Sequence, residues 1–257
     1  MRVIGLIISL TIWLTSGVSA KPIRLITNKD TLFHLKGREV YIAFPPKINP
    51  KNKVLFAFHG SGREARSYVP GDARSNSFYI KQRDLAVKEN YIFIVISFGQ
   101  DIWAINQSAV NFLSIRETLL KEYDLADQWT VWASSAGAVL FANVLKLNPK
   151  IFDKAIGTFP VFDLHAAMQR VKSARDLIPV DQLENLNPAN FYFVFNNLPY
   201  LIFHGDQDEA VPIELHSLYL KKLLKSNFNK VKVQKVKGGH STSNWHLYDE
   251  TKISKFL

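Results

Sequence analysis

The 257-residue sequence contains no cysteine. That excludes disulfides, thiolate zinc sites and a cysteine nucleophile, and it leaves the core to supply its own stability. Other signatures are missing as well. No Gly-x-x-x-x-Gly-Lys-Ser/Thr loop and no Gly-x-Gly-x-x-Gly fingerprint occurs, so phosphate-cradling and nicotinamide chemistry have no support. No His-Glu-x-x-His pair exists, and the seven histidines share no ligand spacing, so no metal and no cofactor are expected. There is no internal repeat and no low-complexity linker.

Charge of one sign is in modest excess. The chain carries 32 basic against 22 acidic residues. The lysines are dispersed, apart from a loose cluster at 221–237, and no basic tract is interleaved with aromatics. Nucleic acid is therefore not an expected partner.

The first twenty residues stand apart. "MRVIGLIISLTIWLTSGVSA" has Arg2, an apolar stretch and a Val-Ser-Ala ending before Lys21. This is the charged, apolar and small-residue order of a secretory signal peptide. We expect cleavage after Ala20 and a secreted or periplasmic protein with no stable membrane insertion. The alternative is an uncleaved anchor, for which the stretch is barely long enough. Residues 21–257 then form a single domain with a net charge of +9.

Four runs are almost wholly apolar: "VLFAF" at 54–58, "YIFIVI" at 91–96, "VWA" at 131–133 and "YLIF" at 200–203. Continuous apolarity marks strands buried on both faces, as in a parallel sheet covered by helices. "EVYIAF" at 39–44 alternates and reads as a strand nearer an edge. Helical patterns fall between, at 108–123 with Val110, Leu113 and Leu120 on the apolar face, and at 214–225 with Leu215, Leu218, Leu220 and Leu224. Strand alternating with helix predicts a doubly wound, mostly parallel α/β sheet with helices on both faces. In such sheets, sites form where loops leave the carboxyl ends of the strands.

The residues at those exits are therefore the informative ones. "HGSG" (59–62) follows the first apolar run, and "SSAG" (134–137) follows "VWA". "HGDQDEAVP" (204–212) follows "YLIF", and "GGHSTS" (238–243) follows the last strand-like run, "KVKVQKVK". Serine, acid and histidine thus occur in the chain order of the α/β-hydrolases. The chain resembles that family over the whole of 21–257, and within it the secreted esterase branch of feruloyl-esterase-like and polyester-depolymerase-like proteins. One departure is that the family's Gly-x-Ser-x-Gly reads Ala133-Ser134-Ser135-Ala136-Gly137 here.

The resemblance implies roles. In the pentapeptide register the nucleophile is Ser135, because Ser134 would place Trp132 at a position reserved for a small residue. A serine capping the next helix is the plainer reading of the same stretch. His240 is the base and Asp208 orients it, favoured over Asp206, whose place matches a loop-bracing aspartate. The N–H groups of Ala136 and Ser61 form the oxyanion hole. Gly62 and Trp103 are candidate pocket residues, and His59 and His204 are structural. Residues 161–199 are longer than an ordinary crossover and form a candidate cap, with Phe191, Phe193 and Phe195 expected to pack inward.

The expected activity is hydrolysis of a small or polymer-linked carboxylic ester through an acyl-enzyme. Two alternatives stand: an amide or peptide bond on the same three residues, and a hydrolase fold kept as a binding module.

Overall fold

The computed structural model describes residues 29–49, 51–224, 230–240 and 245–257. The expected signal peptide at 1–20 lies outside them, as do 241–243 of the last motif. In chain order the elements are β1 (Thr31–Leu35), β2 (Arg38–Ala43), β3 (Val54–Phe58), α1 (Ser77–Lys88), β4 (Ile92–Ile96), α2 (Ser108–Glu122), β5 (Trp129–Ser134) and α3 (Gly137–Leu147). There follow β6 (Phe152–Thr158), α4 (Leu164–Arg170), α5 (Lys172–Leu177), α6 (Leu183–Leu186), β7 (Tyr200–Gly205), α7 (Ser217–Leu223), β8 (Val231–Val236) and α8 (Glu250–Phe256).

The eight strands among the described residues join one sheet in the order β1-β2-β4-β3-β5-β6-β7-β8. β2 runs antiparallel to β1 and to β4, and every other pairing is parallel. The central strands β3, β4 and β5 are buried along their whole length. That burial is why they read as unbroken apolar runs. One face packs Phe56, Phe58, Val131 and Ile202 against α2 and α3. The other packs Leu55, Trp132, Leu201 and Phe203 against α1 and α8.

Helices α2 and α7 fall where their patterns predicted, but their buried faces differ from the expected ones. In α2 the core side is Ala109, Phe112, Ile115 and Leu119, while Val110 is exposed. The largest apolar side chain, Phe112, sets the face because it fills the space between Phe56 and Phe58. In α7 Leu220 is buried, as is Leu224 just past its end, whereas Leu215 precedes the helix and is exposed.

Two contacts position the loops that matter. A Cβ built on Gly137 would lie 2.3 Å from the Phe58 carbonyl oxygen and 2.6 Å from that of His59. Only glycine lets α3 start directly above the end of β3. A Cβ on Gly205 would lie 2.3 Å from the Gly238 carbonyl oxygen, so the loops after β7 and β8 touch backbone to backbone.

Residues 161–199 are helical, with α4, α5 and α6 followed by a 3₁₀ segment at Pro188–Phe195. Phe191 and Phe195 are buried as expected, but Phe193 is exposed. The segment is kinked at Phe191, whose φ of −133° and ψ of 36° are not helical, so the three rings do not share one regular face.

Candidate active site

Ser135 sits between β5 and α3 with φ of +52°, a left-handed conformation costly for a residue bearing a Cβ. The bend is clamped by its own backbone: the Ser135 N–H donates to the Thr158 carbonyl, and the Ser135 carbonyl accepts from Ala138 and Val161. The two serines part here. Ser134 is fully buried, with its hydroxyl 2.7 Å from that of Thr158 and accepting from Gln82 of α1 at 3.2 Å. Ser135 instead lies on the partly open side, its Oγ 3.0 Å from His240 Nε2.

The Nδ1 of the same ring is 2.7 Å from Asp208 Oδ2. A carboxylate only accepts, so Nδ1 carries the proton and Nε2 is left free to accept from Ser135. Asp208 is buried, and its other oxygen accepts from the Val211 N–H at 2.8 Å. Burial works against its charge. Hydrogen bonds from His204, His240 and Val211 outweigh burial and hold the carboxyl well below the usual carboxylate range.

Asp206 faces away from this relay. Its Oδ1 accepts from the Gly238 N–H at 3.0 Å and its Oδ2 pairs with Lys237 at 3.1 Å. It ties the loop after β7 to the loop after β8.

His59 and His204 are buried supports. The His59 Nε2 accepts from the Phe98 N–H at 3.0 Å, so Nδ1 donates to the Gly60 carbonyl at 2.9 Å. That ring anchors the 59–62 turn to the end of β4. His204 Nε2 donates to the Val211 carbonyl at 2.6 Å, and Nδ1 accepts from Ser217 at 2.6 Å. His216, unassigned by sequence pattern, accepts at Nδ1 from the N–H groups of Phe162 and Asp163, both at 3.1 Å. It fixes the start of the 161–199 segment.

Burial lowers the pKa of His59 to about 4 and of His216 to about 3. Both rings are neutral in the fold and take up a proton near pH 6.5 once unfolded. The folded chain therefore binds fewer protons below pH 6.5, and stability falls as pH drops through that value, levelling off below the folded pKa. For His59 alone the full loss is about 3 kcal/mol. A series of urea midpoints from pH 7.5 to 4.5 should decline accordingly. A flat series would mean that these rings find stabilising acceptors when protonated.

The expected oxyanion donors are the N–H groups of Ala136 and Ser61. Ala136 opens the first turn of α3, where backbone N–H groups have no acceptor within the helix. A Cβ built on Gly60 would lie 3.5 Å from the Ser135 Cβ, so the turn carrying Ser61 runs beside the nucleophile. The Ser61 hydroxyl donates to Ser173 of α5 at 3.2 Å, joining this turn to the 161–199 segment. Gly62 is exposed at φ of +72°. Trp103 is buried in the main core at the end of a 3₁₀ turn (Gly99–Trp103), and its indole N–H has no partner among the described residues. Among the described residues no three His, Asp or Glu side chains come together as a metal-ligand set, and no helix is long and apolar enough to cross a membrane.

One residue at the site escaped sequence reasoning. Phe159 follows β6 and its ring lies 4.3 Å from that of His240. Nothing local marks it, because Asp153, Lys154 and Gly157 break the apolar pattern of β6.

The family model of the prolyl oligopeptidase family matches residues 106–257, more than half of the chain. No curated protein matches the sequence. Among solved structures, the chain is similar to Est1E from Butyrivibrio proteoclasticus at 18% identity and a TM-score of 0.67, over 88% of this chain and 96% of that one. It is similar to FphF, a fluorophosphonate-binding serine hydrolase of Staphylococcus aureus, at 15% identity and a TM-score of 0.65, over 89% and 95%. It also resembles the Pyrococcus horikoshii acylaminoacyl peptidase at 15% identity and a TM-score of 0.69, over 90% of this chain and 41% of that one. At these identities the likeness shows the α/β-hydrolase fold.

Proposed function

The chain belongs to the prolyl oligopeptidase family and is a serine hydrolase, and from that premise we propose that it cleaves carboxylic esters through an acyl-enzyme on Ser135. The observation that carries this reading is the unbroken relay from Ser135 Oγ through His240 to Asp208, at 3.0 and 2.7 Å. The hydroxyl proton passes to His240 Nε2 as Oγ attacks the carbonyl carbon. The developing alkoxide is held by the N–H groups of Ala136 and Ser61. His240 then protonates the leaving alcohol, and water enters by the same route in reverse to release the acid.

The family match supports a second reading, in which the same relay cleaves an amide or peptide bond. Ester and amide differ in the leaving group, which His240 protonates in both cases. Paired assays of matched esters and anilides of one acyl group separate the two. The leader at 1–20 belongs to this proposal as an export signal, and intact mass of the exported protein beginning at Lys21 would support it.

The direct test is labelling with a fluorophosphonate probe, read by peptide mass spectrometry. The adduct should sit on Ser135, persist in Ser134→Ala and vanish in Ser135→Ala. An adduct on Ser134 overturns the register. No adduct on the folded wild type would favour the binding-module alternative.

A further inference from the structure

We propose that Phe159 is a positioning residue that holds the His240 ring in place through the second half of the reaction, after Ser135 has been acylated. The inference rests on the Ser135–His240 reading above and adds to it a residue that no motif contains.

The first observation is backbone strain. Phe159 has φ of +41°, where an aromatic side chain is rarely found, and it precedes Pro160, which further favours an extended backbone. Its N–H donates to the Phe203 carbonyl at 2.8 Å, which pins this unusual turn across the ends of β6 and β7. A chain keeps such strain where the surrounding structure uses the geometry it produces.

The second observation is what that geometry produces. The ring is buried, with its centroid 4.3 Å from the His240 ring at an interplanar angle of 59°. On its other side stands Phe78 of α1, at 5.7 Å. Phe78 is backed in turn by Tyr79, Trp245 and Tyr248, at 5.1, 5.8 and 5.4 Å. Phe159 is thus a wedge between a packed aromatic wall and the histidine.

The need for a wedge follows from hydrogen-bond bookkeeping. In the free enzyme His240 is held at both nitrogens. Once the acyl group is on Ser135 Oγ, that hydroxyl proton is gone and only the Asp208 bond remains. The His240 side chain is 27% exposed, so it has room to swing toward solvent. Deacylation needs Nε2 aimed at a water: the water oxygen bonds to the acyl carbon, its proton goes to Nε2, and the C–O bond to Ser135 then breaks as Oγ takes that proton. Contact with the Phe159 ring keeps Nε2 on that line when hydrogen bonding alone does not.

The test uses the purified protein with p-nitrophenyl acetate and a fluorophosphonate probe. Phe159→Leu removes the flat ring. Phe159→Gly removes it while relieving the positive φ, so it serves if the leucine variant folds poorly. The expected result is a fall in kcat of about 10–100-fold with KM falling alongside, so that kcat/KM and the labelling rate stay near wild type. A pre-steady-state burst should grow as the acyl-enzyme accumulates.

A merely structural role would lower kcat/KM and labelling together without a burst, and that outcome overturns the proposal. Wild-type kinetics in both variants overturn it as well. If the wild type itself neither labels nor turns over, the functional reading has failed rather than the role of Phe159.

Discussion

Ser135→Ala is expected to lower kcat by about 10⁶-fold, His240→Ala by nearly as much, and the double variant by no more than either alone. The reason is that the two side chains act as one device. Ser135 Oγ is a weak nucleophile until a base 3.0 Å away takes its proton, and that base has nothing else to do at this step. Removing either leaves only what the N–H groups of Ala136 and Ser61 and simple substrate binding contribute, a residue of catalysis that the second mutation does not touch. Steady-state kinetics on an activated ester, with active-site titration to exclude wild-type contamination, check this. Ser134→Ala is the control with a different signature. Ser134 bonds to Thr158 and Gln82 in the buried interior of the sheet, so its loss should register in the urea midpoint and leave kcat within a few-fold. Additive losses in the double variant would mean that Ser135 and His240 act separately, and the relay would not be the catalytic unit.

Much of this architecture was legible because it follows from burial. Strands covered on both faces have no polar side to alternate with, so β3, β4, β5 and β7 appear as unbroken apolar runs. The exits of those runs then point to the loops that carry chemistry. The strands that stayed hidden had physical reasons to do so. β1 is a half-exposed edge strand with His34 and Thr31 in it, and β6 carries Asp153 and Lys154 near its start and Gly157 near its end. Helix α1 shows little amphipathic contrast, since Gln82 faces the core to reach Ser134.

Ala133 shows how a departure from a motif is absorbed. It pairs with Phe58 on one side and Gly157 on the other, so the extra methyl group enters a row that already contains a glycine. Sequence alone reveals the first and last positions of a pentapeptide, but not which neighbour gives way. Phe159 escaped for the complementary reason. Its importance lies in a long-range ring contact with His240 and a strained φ, and neither leaves a periodic trace.

Asp208→Asn is the second large effect, a fall in kcat of about 10⁴-fold with KM little changed. Asparagine keeps the size, and its oxygen can still accept from the Val211 N–H that now meets Asp208 at 2.8 Å. Its amide NH2 would then face His240 Nδ1, two donors meeting where a donor and an acceptor stood at 2.7 Å. The ring escapes by moving its proton to Nε2, the tautomer that cannot accept from Ser135. The pH dependence follows from the depressed Asp208 pKa. A carboxylate favoured by the fold adds stability that is present above its ordinary unfolded value of about 3.9 and is lost as pH falls through the lower folded one. Across pH 5–8 Asp208 therefore stays charged. The contribution of the Asp208 carboxylate to the stability gap between wild type and Asp208→Asn should be constant over that range and close only in stronger acid. Urea midpoints measured beside kcat separate the two effects. If the asparagine variant retains kcat within tenfold, the carboxylate is not the group that sets the tautomer, and Asp206 would have to be tested in its place.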